Sequence, residues 1–199
     1  FIFAMLLGAA LQITNGFGDS YIRSFSSMPE FASTFGVKHS VILISLSQIS
    51  ETFCILLIPF FLRRFGIKKV MLISMFAWVL RFGLFGFGDP GTGVWMFVLS
   101  MIVYGVAFDF FNISGSLFVD KETSHSMRSS AQGLFMLMTN GFGATIGSFA
   151  AGAVVKHYVP DTNVPNGWDT AWFIFAGYAL VVAVVFMFVF KYKHEKVQQ

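Results

Sequence analysis

The chain has 199 residues, of which 56% are hydrophobic and only 12% are charged. Soluble domains usually carry about a quarter charged residues, so this composition excludes an ordinary soluble domain and predicts a polytopic membrane protein. A single cysteine excludes both an intramolecular disulfide framework and a cysteine metal cluster. The formal net charge is only +3, and the cations flank apolar segments instead of forming a basic stripe, so no nucleic acid partner is expected.

Long apolar runs separated by polar punctuation predict six membrane-spanning helices. In chain order they cover residues 1–22, 41–62, 70–87, 94–119, 130–158 and 171–190. A helix satisfies its backbone polar groups internally, as lipid requires, and about 20 apolar residues cross the bilayer core. Runs such as AGYALVVAVVFMFVF lack the alternation of barrel strands. The sequence therefore predicts an all-α membrane protein, a six-helix bundle surrounded by membrane lipid.

Lysine and arginine are distributed unequally between the two sides of this predicted bundle. One side carries nine: Arg63, Arg64, Lys68, Lys69, Lys121, Arg128, Lys191, Lys193 and Lys196. The other side carries three: Arg23, Lys38 and Lys156. Because cytoplasmic loops are enriched in cations, the first side is predicted to be cytoplasmic, together with the C-terminus.

Three of the predicted helices carry polar side chains at membrane depth. The first carries three at spacings that place them on one face: Gln12, Asn15 and Asp19. The second carries Ser45, Gln48, Glu51 and Thr52, and the fourth carries Tyr104, Phe108, Asp109, Asn112 and Ser116. A charge at the bilayer centre costs about 2.5–3.5 kcal/mol on insertion scales. Three such faces predict a water-accessible cavity between the helices.

Some of these polar residues have a structural alternative. The side chains of Asn112, Ser116, Asn140 and Ser148 are of the kind that forms hydrogen bonds between membrane helices. Asp19 lies close enough to the outer end of its helix to be simply solvated.

Three charged residues lie within otherwise apolar sequence. Glu51 in ISETFCILL and Asp109 in VAFDFFNI are flanked by apolar residues, which favours a function over a structural pair. Arg81, in WVLRFGLF, is the cation inside a span, and we expect it to pair with a carboxylate. The alternatives for Arg81 are that it snorkels to the membrane surface or lines the cavity.

The fifth predicted helix has small residues at every fourth position, at Gly143, Gly147 and Ala151. This spacing lets membrane helices approach closely, and it suits either an alternating-access protein or a static bundle. No HExxH, GxSxG or P-loop motif is present, which argues against an intramembrane enzyme.

Long stretches of the chain resemble one known family. VLSMIVYGVAFDFFNISGSLFVDKE and SAQGLFMLMTNGFG closely resemble bacterial nucleoside permeases of the nucleoside:proton symporter family, within the major facilitator superfamily. PEFASTFGVKHS, SQISETF, IPFFLRRFGIKKVM, IFAGY and FKYKH match as well, so the resemblance covers essentially the whole chain. It is to the family's C-terminal half, helices seven to twelve, and it implies an N-terminal six-helix half as partner.

The resemblance implies a function, and it assigns roles to residues. It implies a nucleoside:proton symporter of the bacterial inner membrane that is not an enzyme and uses the proton gradient without a cofactor. The family's substrate-binding positions fall on Gln12, Asn15, Gln48, Glu51, Tyr104 and Phe108, around a central cavity for uridine-type nucleosides. The alternatives are a permease for another polar solute such as a sugar, an intramembrane enzyme and an assembly subunit.

Proton coupling requires a group that changes charge during transport, and two carboxyl groups lie at membrane depth. A carboxyl group that alternates between a buried and a cation-paired environment can bind and release a proton. Glu51 shares its helix face with Gln48, so we expect it to bind mainly the sugar. We therefore expect Asp109 to carry the proton, the alternative being that it only holds helices together.

Overall fold

The computed structural model describes residues 1–192, and these residues form a helical bundle without strands. The helices are α1 (Ile2–Ser24), α2 (Phe35–Lys38), α3 (Ser40–Phe65), α4 (Ile67–Phe87), α5 (Val94–Glu122), α6 (Arg128–Met136), α7 (Ala144–Tyr158) and α8 (Trp168–Val189). A 3-10 turn at Phe25–Ser27 follows α1, and a π-helical segment at Leu137–Gly143 joins α6 to α7. Lys193 and Lys196 of the predicted cytoplasmic tail lie outside the described residues.

Among residues 1–192, five helical units are long and apolar enough to cross a membrane: α3, α4, α5, α8 and the continuous unit Arg128–Tyr158. Helix α1 has 23 residues but is less apolar, because it carries Gln12, Asn15 and Asp19. The prediction of an all-α membrane protein is confirmed, and all six predicted segments are helical with ends within a few residues of those expected.

Two glycines with positive φ shape the connections between helices. Gly66, with φ of 76°, ends α3 and directly precedes α4. Gly167, with φ of 85°, precedes α8, and a Cβ atom there would collide with the carbonyl oxygen of Tyr158. Both positions lie in the left-handed region that glycine adopts without steric cost. A short glycine turn therefore sets α4 beside α3, and a second one starts α8.

Helix α4 packs against α5 and α8, α5 packs against α3, and α1 packs against α7 and the π-helical segment. The contact of α1 with α7 is very close, because a Cβ atom on Gly143 would collide with the carbonyl oxygen of Met5, and one on Gly147 would collide with Ala9. The predicted close approach at these two small residues is confirmed. The π-helical segment, one extra-wide turn in this helix, was not predicted.

Aromatic side chains fill the core between α1, α4 and α8. Tyr21 donates hydrogen bonds to the carbonyl oxygens of Phe85 (3.0 Å) and Gly88 (3.2 Å). Its ring also contacts those of Trp168 and Trp172, which are fully buried. These contacts fix the end of α1 that follows the polar residues Asn15 and Asp19.

Candidate substrate cavity

A cavity of about 390 Å³ lies between α1, α3, α4 and α5. Its wall combines apolar side chains with seven polar ones: Thr14, Asn15, Asp19, Ser47, Gln48, Arg81 and Tyr104. Ligand sites for small molecules are typically concave, with a few polar groups on a largely apolar wall. The predicted cavity between the polar helix faces is present in the structure.

Helix α1 supplies Asn15 and Asp19 to this wall, and Asp19 marks the end near α3. The carboxylate of Asp19 pairs with Nε of Arg23 at 2.8 Å and accepts a hydrogen bond from Oγ of Ser40 at 2.6 Å. Its side chain keeps 42% exposure. Asp19 is therefore solvent-accessible, as expected, but it also connects the end of α1 to the start of α3.

Helix α3 supplies Gln48, which is exposed and lines the cavity, and Glu51, which is half-buried one turn later. The Glu51 carboxyl group interacts with the side chain of Tyr104. Arg81 is also near it, but the two groups form no ion pair. Ser45 and Thr52 donate to carbonyl oxygens of their own helix. The part of the α3 polar face that serves the cavity is thus Gln48 with Glu51 beside it.

Helix α5 supplies two stacked aromatic rings. The rings of Tyr104 and Phe108 are parallel to within 8°, with centroids 5.8 Å apart. Tyr104 lines the large cavity, whereas Phe108 lines an adjacent small cleft with Trp78 and Asn112. Of the two rings, only that of Tyr104 lines the large cavity, so the role predicted for Phe108 in substrate binding stays a prediction.

Asp109 is buried on α5, with 6% of its surface exposed. Its Oδ2 atom has no hydrogen-bond partner among the described residues. Helix α5 packs against α3, which carries the other membrane-depth carboxyl group, Glu51. An unpartnered polar atom in the interior is costly, and in the described residues Oδ2 forms no hydrogen bond to another helix.

The guanidinium group of Arg81 is buried on α4, with 3% exposure of the residue. Nη1 donates to the carbonyl oxygen of Ser100 at 2.5 Å, and Cζ lies 4.5 Å from the centroid of the Tyr104 ring. Within residues 1–192 it forms no ion pair with Glu51 or Asp109. The expected carboxylate pair is therefore wrong for this structure, and Arg81 lines the cavity instead.

The structure thus brings together Asn15, Gln48 and Tyr104 on one wall, with Glu51 beside Tyr104. Gln12 is half-buried one turn before Asn15 and does not line this cavity. Two polar lining residues, Thr14 and Ser47, were not predicted from the sequence, in which their only signal is adjacency to Asn15 and Gln48.

The expected hydrogen bonds between helices occur at one of the four candidate residues. Ser116 donates to Gln132 Oε1 at 3.0 Å, which links α5 to α6. Asn140 and Ser148 instead contact Met136 and Ala144 of their own helical unit. Asn112 lines the small cleft. In the described part of the chain, no cluster of His, Cys, Asp or Glu is arranged to hold a metal ion.

The apolar helices, the polar cavity between them with the buried Arg81 in its wall, and the superposition on a nucleoside transporter together define half of a membrane transporter of the major facilitator superfamily. The chain belongs to the Nucleoside H+ symporter family, whose sequence profile matches residues 1–195. This finding confirms the resemblance seen in the sequence.

Individual relatives are similar over nearly the whole chain. The chain is 59% identical over 198 residues to the nucleoside permease NupG of Escherichia coli (strain K12), covering 99% of the chain and 47% of NupG. It is 58% identical over 196 residues to the xanthosine permease of the same organism, covering 98% of the chain and 46% of that permease. A crystal structure of the nucleoside transporter NupG superposes with a TM-score of 0.90 at 59% identity, covering 97% of this chain and 47% of that one.

The chain spans about half the length of these relatives. The relatives are transporters and not enzymes, and the superposition confirms the predicted fold class.

Proposed function

We propose that the complete protein is a nucleoside:proton symporter that imports nucleosides across the bacterial inner membrane. This chain would form the C-terminal six-helix domain, residues 1–199, with an N-terminal six-helix half completing the transporter. The observation that carries the proposal is the cavity of about 390 Å³ with Asn15, Gln48 and Tyr104 on its wall. Membership of the symporter family and the similarity to a nucleoside permease and a xanthosine permease support it.

The chemistry of the cavity suits a nucleoside. Ribose hydroxyls and the edges of a nucleobase offer donors and acceptors, which amides and a carboxylate can bond. We assign this role to Gln12, Asn15, Gln48 and Glu51. A nucleobase also has a flat face, which can stack on the ring of Tyr104, supported from behind by Phe108.

Proton coupling is assigned to the two carboxyl groups of α3 and α5. Asp109, buried with an unpartnered oxygen, would bind and release the transported proton. Glu51 lies closer to the cavity wall, beside Tyr104, and would bind mainly the sugar. Because α3 packs against α5, substrate binding at Glu51 would change the electrostatic surroundings of Asp109.

The outer surface suits a protein that is completed by lipid and by a second half. Phe53 and Leu56 of α3 are 64% and 72% exposed, and Phe149 of α7 is 78% exposed. Large apolar side chains that are exposed to this extent require membrane lipid or another apolar domain to cover them. Alternating access would then arise from rocking of the two halves around the cavity, with the cation-rich loops on the cytoplasmic side.

Transport by the full-length protein in proteoliposomes tests this function. An inward pH gradient should drive uridine accumulation, a protonophore should abolish it, and the recovered uridine should be chemically unchanged. Uptake of a sugar, driven by the same pH gradient in the same vesicles, is the control for a different polar solute. Accumulation of the sugar instead of uridine, or conversion of uridine, would contradict the proposal.

A further inference from the structure

Arg81 is a buried cation to which the proposed transport chemistry above gives no role. Its guanidinium group contacts the carbonyl oxygen of Ser100 and the sulfur of Met101, and its Nε atom has no hydrogen-bond partner in the described structure. In return, Oγ of Ser100 donates to the backbone carbonyl of Arg81 at 3.1 Å. The side chain is therefore locked between α4 and α5.

Aromatic rings take the place of a counter-ion around this guanidinium group. Cζ lies 4.5 Å from the centroid of the Tyr104 ring and 5.6 Å from that of Phe85. A cation over the face of an aromatic ring is attracted by the ring quadrupole, most strongly where both are desolvated. The charge of Arg81 is thus partly compensated by the residue that faces the cavity.

Three neighbours together determine the plane of the Tyr104 ring. Arg81 lies over it, Phe108 is parallel to it at 5.8 Å, and Trp78 contacts it edge-on at 5.9 Å. Phe108 and Trp78 are apolar and tolerate sliding, whereas the Arg81 guanidinium is anchored by a hydrogen bond to the backbone. Arg81 is therefore the neighbour over the ring face that is anchored to the backbone, whereas Glu51 interacts with the Tyr104 side chain from α3.

We propose that Arg81 is a positioning residue, which holds the Tyr104 ring in the orientation that stacks against a nucleobase in the cavity. This inference rests on the proposed function, because it deepens the binding role of Tyr104. Arg81 also lines the cavity but is only 3% exposed, so the experiments below separate its action through Tyr104 from direct contact with the substrate.

The binding experiment uses the full-length transporter and calorimetric titration with uridine. Arg81→Lys keeps the charge but removes the planar group that stacks on the ring, and Arg81→Met removes the charge as well. Each should weaken uridine binding at least about tenfold, which corresponds to about 1.4 kcal/mol. Arg64→Lys is the matched control, because Arg64 lies over the ring of Phe65 at 6.0 Å on an exposed surface.

A double-mutant cycle separates positioning from a general structural role. In a Tyr104→Ala background, Arg81→Lys should cause no further loss of affinity, because the ring that it orients is absent. A loss of the same size in both backgrounds would overturn the proposal. If Arg81→Met fails to fold, Arg81→Lys alone decides the outcome.

A second readout does not depend on any ligand. The protein is labelled with fluorotyrosine, and the Tyr104 resonance is assigned by its absence in Tyr104→Phe. Arg81→Lys should shift this fluorine resonance in the empty transporter, whereas Arg64→Lys should not. If Arg81→Lys binds uridine with wild-type affinity and leaves the Tyr104 resonance unchanged, the inference about Arg81 is overturned. If the wild-type protein binds no nucleoside, the proposed function is overturned instead.

Discussion

Gly147 of α7 lies directly against Ala9 of α1, and a Cβ atom on the glycine would collide with the Cα atom of Ala9. Helix α1 also meets the π-helical segment at Gly8, where a Cβ atom would collide with the carbonyl oxygen of Thr139. Small residues on both sides thus allow the backbones of α1 and the α6–α7 unit to touch. This contact holds α1, which carries Asn15, in place beside the cavity.

We expect Gly147→Val to destabilise the full-length protein by about 1–3 kcal/mol, because the added atoms force two tightly packed backbones apart. Thermal unfolding in detergent measures the effect as a lower Tm. Gly152→Val is the control, since nothing lies within 4 Å of a Cβ atom at that position of the same helix. Equal Tm values for the two variants would show that the contact with Ala9 is not tight.

The helices and the small-residue contact were predictable because both depend on local sequence. Apolar runs determine where a helix can cross lipid, and glycine spacing along one helix determines which face can approach another. The partner of Arg81 was not predictable, because it depends on which rings of α5 lie beside α4. The π-helical segment Leu137–Gly143 was not predictable either, since its hydrogen bonds depend on packing against α1.

The types of residue in the candidate site were predictable from the sequence, but the extent of the cavity was not. Helical spacing places Gln12, Asn15 and Asp19 on one stripe, yet the cavity reaches only the last two of them. The extent of the cavity is decided by how far α3 and α4 stand from α1, which is a tertiary property. For this reason Gln12 remains a predicted contact that another conformation of the transporter, or its second half, would have to complete.

The orientation of the domain gives a topological prediction. Cysteines introduced at Lys69 and at Asn163, both exposed, should react from opposite sides of the membrane in a cysteine-free full-length protein. The cation-rich side should be cytoplasmic, so an impermeant maleimide should label position 163 in intact cells and position 69 only after permeabilisation. Labelling of both positions in intact cells would overturn the orientation.

Substrate binding should depend on Gln48 and on Glu51. Each of Gln48→Ala and Glu51→Ala leaves substrate polar groups unsatisfied, which costs about 1–3 kcal/mol, or roughly tenfold to a hundredfold in the Kd for uridine. Asn140→Ala is the control, because the Asn140 amide is exposed and contacts only Met136 of its own helical unit. Unchanged Kd values in both variants would remove these residues from the site.

Proton coupling should fail when Asp109 cannot change its charge. Asp109→Asn keeps the size of the side chain and one acceptor oxygen, while an NH2 donor replaces the other oxygen, so we expect the fold and the cavity to persist. The variant should lose uphill uridine uptake driven by a pH gradient, but should retain nucleoside exchange at equal pH, which needs no net proton movement. Both assays use the full-length protein in proteoliposomes.

A matched control and the pattern of results distinguish a role of Asp109 in proton coupling from a role in the stability of the fold. Asp161→Asn is the matched control, since that carboxylate lies in an exposed loop and accepts hydrogen bonds from Asn163. It should leave both assays unchanged. If Asp109 only held helices together, its substitution would lower exchange and uphill uptake in parallel, along with the Tm. Gradient-driven accumulation at the wild-type level would exclude Asp109 as the essential proton carrier and leave Glu51 as the membrane-depth carboxyl group of this domain to test next.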